Sequence, residues 1–333
     1  MKIGGWLYCL LCIGQCSSSF ADCLNTRGSN KLDATLLWQD ISALADDHMQ
    51  GRKTASQGAE LARLYISRRY QQIGLQAFPT LAEPSEPAYI SSFKVTRGWS
   101  EVGGSNVLGW LGGRKYQDRY IVVTAHYDHL GKSTRGIFNG ADDNASGVAA
   151  MLGIAQYMAQ YGSQYSIIFV ATDAEEKGLF GAKGFLAKPP VPLGSIIANL
   201  NLDMLGEGGR RGRLYVTPSR GETAWEEMIQ GVIASGNSCL VKGHRSNRRH
   251  LQHQNINWRK SSDHAAFASK NIPYLFVGVA DHSRYHSEND TTDRIKPVFF
   301  TYAAQTALTL LLKLDALVND NQATPSSLSR SAK

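Results

Sequence analysis

Four short apolar runs rich in β-branched residues, each leading into acid or imidazole, constrain this chain more than any other feature. Residues 120–125 lead into His126-Tyr127-Asp128-His129, residues 166–172 into Asp173-Ala174-Glu175-Glu176, residues 196–202 into Asp203, and residues 274–279 into Asp281-His282, with His286 close behind. Runs of this length and composition suit buried strands. Helical spacing predicts helices at 145–161, 179–187, 222–234 and 263–270, and a closing helix at 297–317 with Pro297 suited to its first turn. Strands alternating with helices imply an α/β domain whose sheet is covered by helices on both faces. Upstream, residues 40–73 read as two helices broken at Met49-Gln50-Gly51-Arg52, with Gly74 as a stop for the second. Residues 79–87 are a Pro-rich loop, and 90–95 and 106–111 have strand composition.

In open α/β sheets, ligands gather beyond the carboxyl ends of the strands. Four strands here deliver His, Asp and Glu to one such edge. Carboxylates crowded there repel one another and lose hydration unless something positive joins them, and bound cations are the simplest answer. A fifth contribution is Asn139-Gly140-Ala141-Asp142-Asp143-Asn144-Ala145-Ser146-Gly147, between the first strand and its helix. Taken alone, Asp142 or Asp143 reads best as a helix cap; taken with the four strand ends, the acidic pair reads as a ligand source. Imidazole with carboxylate suits zinc, cobalt or manganese. Thiolates are missing from the set, which favours an open catalytic site over a structural one. Glu175 and Glu176 are adjacent, so if one binds metal the other is free to act as a base.

The bulk properties exclude little else. A net charge of +7 over 333 residues is a mild excess. The densest basic stretch, residues 242–260 with Arg245, Arg248, Arg249 and Arg259, matches no nucleic-acid fold and reads as a solvated loop. His244, His250 and His253 belong to the same loop. At the N-terminus, Lys2, the apolar run 3–13 and the small-x-small sequence Ser19-Phe20-Ala21 form an export signal, with the mature chain starting at Asp22. Lipid anchoring at Cys16 is the weaker alternative, because Gln15 stands where a small residue is expected. No later segment reads as long and apolar enough to span a membrane. Cys23 and Cys239 remain after the signal and could pair or stay free. The expected organisation is a signal at 1–21, one domain at 22–318 and a polar tail at 319–333.

The strings His-Tyr-Asp-His, Ala-Asp-Asp-Asn-Ala-Ser-Gly, Asp-Ala-Glu-Glu-x-Gly-Leu-x-Gly, Asn-Leu-Asp-Met, Ser-Asp-His-x-x-Phe and His-Ser-Glu-Asn-Asp-Thr occur in one order. Together they resemble the co-catalytic dizinc aminopeptidases of the bacterial leucyl aminopeptidase type, over roughly residues 35–315. The resemblance implies the zinc-dependent exopeptidase fold: a single three-layer domain with a central mixed, mostly parallel sheet. It implies two zinc ions, one held by His126, Asp143 and Asp203, the other by Asp143, Glu176 and His286, with Asp143 bridging. It casts Glu175 as general base and Asp128 as the carboxylate that orients the His126 ring. His264 takes a structural or substrate-side part, and His129 and His282 are set aside as bystanders. Tyr285, beside His286, is a candidate oxyanion donor.

The expected substrates are peptides with a free N-terminus, met by a secreted or periplasmic monomer without nucleic-acid partner or stable membrane insertion. Three rivals stand beside this reading. A glutaminyl cyclase shares the fold but uses one zinc, whereas His126 and Asp203 are both present here. Acidic-dipeptide carboxypeptidases usually carry extra domains. A binding protein on a degenerate peptidase fold would lack a ligand or the base.

Overall fold

The computed structural model describes residues 31–78, 88–97, 100–236, 239–243 and 257–317. Residues 1–30, which carry the expected export signal, Cys16 and Cys23, lie outside the described residues, as do the Pro-rich loop, residues 244–256 of the basic stretch and the polar tail.

Helix α1 (Ala34–Leu44) begins at Asp33, whose carboxylate accepts the Thr35 and Leu36 N–H groups. A tight turn at Asp47–Arg52 separates it from α2 (Gln57–Ile73), capped by Ser56 and stopped by Gly74 at φ 85°. Then come β1 (Ile90–Arg97), β2 (Ser100–Leu111), β3 (Tyr116–His126), the small hairpin β4 (Gly131–Ser133) and β5 (Gly136–Phe138), and α3 (Gly147–Tyr161). The second half adds β6 (Tyr165–Thr172), α4 (Phe180–Ala187), β7 (Ile196–Leu202), β8 (Leu214–Pro218), α5 (Thr223–Ala234), β9 (Leu240–Lys242), α6 (His264–Ala268), β10 (Tyr274–Gly278) and α7 (Pro297–Leu317).

Eight strands form one sheet in the order β1-β2-β6-β3-β7-β10-β8-β9. The centre, β6-β3-β7-β10, is parallel. Antiparallel β2 and β1 extend one side, and β8, antiparallel to β10, begins the other. The four acid-tipped runs are therefore the four central strands. The outer strands β8 and β9, of which β9 is the edge, escape sequence reading because they are short and lack a sustained alternating pattern.

Side chains alternate across this sheet. Ile121, Val123, Ala125, Ile167, Phe169 and Ala171 join the larger core with α1, α2, α3, α5 and α7. Val122, Ile168 and Val170 face α4 and α6 with Ala182, Phe185 and Phe267. Each fully buried Val, Ile or Phe among them contributes about 1.5–3 kcal/mol. Helix α7 corrects one expectation: its 21 residues are long and apolar enough, by length and composition, to cross a bilayer. Phe299, Phe300, Ala303, Ala307, Leu311 and Leu314 are instead buried in the protein core, which explains the composition. Asp315 accepts the backbone N–H groups of Gln164 and Tyr165 and ties the end of α7 to the start of β6.

Candidate metal centre and active site

The strand period decides which residues meet at the sheet edge. Val122, Thr124 and His126 share one face of β3; Ile168, Val170 and Thr172 share that face of β6; Asn199 and Asn201, followed by Asp203, share it on β7. Beneath the edge these polar side chains form a buried ladder. The Thr124 hydroxyl donates to Asn201 (2.7 Å), Asn199 donates to Thr124 (3.0 Å), and Asn201 donates to Ser262 (2.8 Å). The Thr172 hydroxyl donates to Asp263. The ladder ties three strands to the segment leading into α6, so the edge is stiff where the ligands emerge.

Two donor sets share Asp143. His126 Nε2 lies 3.2 Å from Asp203 Oδ1 and 3.3 Å from Asp143 Oδ1. His286 Nε2 lies 3.1 Å from Asp143 Oδ2 and 3.2 Å from Glu176 Oε2. Zinc with ligand bonds of about 2.0 Å in a tetrahedron sets its donor atoms about 3.3 Å apart. Asp143 Oδ2 and His286 Nε2 are buried and make no hydrogen bond. The electrostatics point the same way. Burial alone would lower the His126 pKa, but Asp203 and Asp143 outweigh it and raise it well above the ordinary range. Burial would raise Asp143, yet His126, His286 and His129 hold it well below the carboxylate range. Glu176, also opposed by burial, is brought down to about 2 mainly by His129 and His286. The site therefore stabilises positive charge between its carboxylates, where divalent cations would sit.

The loop carrying Asp143 is held from every side. Its Asp143–Asn144 peptide is cis. Asp290 accepts the N–H groups of Asp142 (2.9 Å) and Asp143 (3.0 Å). Asn144 accepts from Gly147 and Met204 and donates to the Leu202 carbonyl, each at 3.0 Å. Gly147 is required there, because a β-carbon would collide with the Asn144 side chain and the Leu202 carbonyl. Asp142, the alternative ligand, is a clasp: it accepts from Gly206 N (2.6 Å) and lies 3.0 Å from His282 Nε2. His282 is thereby held by Asp142, and its pKa is pushed up to about 9, against burial, by that carboxylate. Arg284 pairs with Glu207 through two nitrogens and fixes the loop that carries His286. The group Glu207, His282 and Asp290 is close enough to suggest another ion, but these contacts already occupy its donors.

Asp128 acts differently from the expectation. Its carbonyl lies 3.1 Å from His126 Nδ1, while its carboxylate is 3.8 Å away. The carboxylate instead accepts the backbone N–H of Glu175 (3.0 Å) and Glu176 (3.4 Å). One residue thus orients the His126 ring through its backbone and the glutamate pair through its side chain. Glu175 is raised well above the ordinary glutamate range, first by burial and then by Asp203, Asp263 and Glu176, with His126 opposing. Tyr285 stacks on His286 at 3.8 Å between ring centroids. Its hydroxyl is pushed up by burial and then by Asp143, Glu176 and Asp203. Asp281, beyond β10, is pushed up to about 6 by burial, Asp143 and Asp203. His264 faces away: its Nε2 meets the Trp258 carbonyl at 2.9 Å and its ring stacks on Phe276. Ala174, Met204 and His286 have φ of 56°, 64° and 55°, conformations that cost non-glycine residues about 1–3 kcal/mol each and cluster at functional sites.

Two residues gain parts that sequence reasoning did not assign. His129, set aside as a bystander, is buried with Nδ1 2.9 Å from Glu176 Oε1 and 3.8 Å from Asp143 Oδ2. Arg52 is buried beneath the site and donates to the carbonyls of Tyr127 (2.8 Å), Asn139 (2.6 Å), Gly140 (2.9 Å) and Leu44. Burial lowers its pKa to about 10 while Asp290, Asp143 and Asp128 pull upward. The Met49-Gln50-Gly51-Arg52 string marked this segment, but nothing in sequence linked it to carbonyls as far as 88 positions away.

Comparison with known proteins places these residues in a family context. The model described as Peptidase family M28 matches residues 106–311. Aminopeptidase YwaD of Bacillus subtilis is 35% identical over 187 residues, 54% of this chain and 35% of that protein. A zinc aminopeptidase from Bacillus subtilis superimposes with a TM-score of 0.67 at 15% identity, covering 84% of this chain and 95% of the other. A Bacteroides thetaiotaomicron glutaminyl cyclase bound to N-acetylhistamine superimposes with a TM-score of 0.65 at 16% identity, covering 84% and 98%. The matches to the first curated relatives span 41% of their length.

Proposed function

The chain belongs to peptidase family M28, and from that premise we propose that it is a zinc-dependent aminopeptidase with two metal positions. His126, Asp203 and Asp143 Oδ1 would hold the first; His286, Glu176 and Asp143 Oδ2 would hold the second. The observation that carries this reading is the pair of donor sets at 3.1–3.3 Å sharing one carboxylate. Zinc bound there supplies Lewis acidity toward the scissile carbonyl and makes water a better nucleophile at neutral pH. Glu175, whose backbone Asp128 fixes, takes the proton of the attacking water and returns it to the leaving amine. Its raised pKa suits it to hold that proton between the two steps. The Tyr285 hydroxyl at the same edge donates to the oxyanion. The free α-amine of the substrate is drawn to a carboxylate beside the metals, for which Asp281 beyond β10 is the candidate. The export reading of residues 1–21 agrees with the disulfide at Cys239, whose partner falls outside the described residues.

The test is an assay of the mature chain from Asp22 on aminoacyl-p-nitroanilides, with N-acetylated controls and metal analysis. Cleavage of free-amine substrates alone, with about two metals per chain, is the expected result. Glutaminyl cyclase neighbours justify N-terminal glutaminyl peptides in the same panel. Cyclisation without hydrolysis, or a chain that binds no metal, would overturn the proposal.

A further inference from the structure

By distance alone His129, with Asp143 and Glu176, could itself hold an ion at the second position, but its Nδ1 is turned to Glu176. Its side chain is fully buried, and Nδ1 lies 2.9 Å from Glu176 Oε1. The other Glu176 oxygen, Oε2, is the one 3.2 Å from His286 Nε2. A carboxylate only accepts, so the proton between them sits on His129 Nδ1. Nε2 is buried without a hydrogen-bond partner. The ring has little freedom to turn. Gly140, at φ 57°, lies so close that a β-carbon would stand 2.6 Å from the imidazole Cδ2. Gly140 is itself held by Arg52, which donates to its carbonyl at 2.9 Å, while the His129 N–H donates to the Arg52 carbonyl at 3.2 Å. The imidazole is therefore wedged between a clamped glycine and one oxygen of Glu176.

We infer that His129 is a positioning residue for the second metal: by occupying Glu176 Oε1 it presents Oε2 alone to the ion and keeps that carboxylate monodentate. The inference rests on the dinuclear reading of the site. The first donor set has no equivalent outside donor on Asp203 among the described contacts, so the two positions differ in how tightly their carboxylates are held. Loss of a hydrogen bond to a ligating group typically weakens metal binding about 10–100-fold. His129 should therefore tune the second position and leave the first alone.

The test is zinc titration of the metal-free full chain against a competing chelator, for wild type, His129→Leu and His129→Asn, each checked for folding by circular dichroism. Asparagine keeps an N–H donor near the place of Nδ1. In His129→Leu one equivalent should weaken about 10–100-fold while the other stays at its wild-type affinity; His129→Asn should stay close to wild type. Repeating the pair in an Asp203→Ala background, where only the Glu176 side remains, should show the same shift on the single remaining equivalent. Unchanged binding of both equivalents in a folded His129→Leu would overturn the inference. So would equal damage in His129→Asn, which would make the imidazole itself a ligand. A wild-type chain that binds fewer than two equivalents would instead bring down the dinuclear reading beneath it.

Discussion

Glu175 and Glu176 are neighbours in sequence with opposite electrostatics: burial and nearby carboxylates push Glu175 well up, while His129 and His286 bring Glu176 down to about 2. Such a division between adjacent acids suits a base beside a ligand. Glu175→Gln should keep its metal and lose about 10²–10⁴-fold in kcat, measured by assay and metal analysis on one sample; loss of the metal together with activity would reassign Glu175 as a ligand. His264 offers a second test at this scale. Burial pushes its pKa from 6.5 down to about 3. Below the ordinary value the unfolded chain takes up a proton that the folded chain refuses. Stability should therefore fall as pH drops from 6.5 toward about 3. His264→Phe should flatten urea-denaturation stability against pH across that window; an equally steep loss in the variant would clear His264 of the effect.

The elements that matter most are those that hold ligands rather than supply them. The loop 139–147 is clasped through Asp290, Asn144 and Asp142, and its carbonyls at Asn139 and Gly140 are held by Arg52. Arg52→Lys keeps the charge but cannot reach four carbonyls with one ammonium group. Buried carbonyls left without donors should cost about 3 kcal/mol or more, read from urea midpoints, and zinc affinity should fall because Asp143 rides on the same loop. If stability drops while metal affinity holds, the clamp serves the fold alone. Gly147→Ala should act in the same direction, since a methyl group there displaces Asn144 from the end of β7.

At the scale of the whole molecule, the metal edge joins four strands and two loops, so ions bound there bind the native state and not the unfolded one. Chelation should lower the thermal midpoint by roughly 10 °C, the effect of a few kcal/mol on a domain this size. The raised pKa of His126, and of His286 to about 10, means that protons compete with cations for these imidazoles. Metal affinity should therefore weaken as pH falls, measurable by titration at two pH values. A thermal midpoint indifferent to chelator would count against a metal bound across the strand ends.

Much of this was legible from the chain alone. The central strands, the breaks at Met49–Arg52 and Gly74, the α/β layering and the gathering of His126, Asp203, Glu176 and His286 at one edge are all set by local period and composition. A buried strand shows as an apolar run, and a catalytic edge shows as acid and imidazole at the carboxyl end of that run. The outer strands β8 and β9 left no such mark, and α7 read as ordinary although its composition would suit a membrane. What only the tertiary structure decided were contacts between residues far apart in sequence. Asp128 reaches the glutamates through their backbone, His129 meets Glu176 across 47 positions, and Arg52 joins carbonyls up to 88 positions away. Hydrogen bonds of this kind depend on where strands end in space and which way a loop turns, and no spacing in the chain records that.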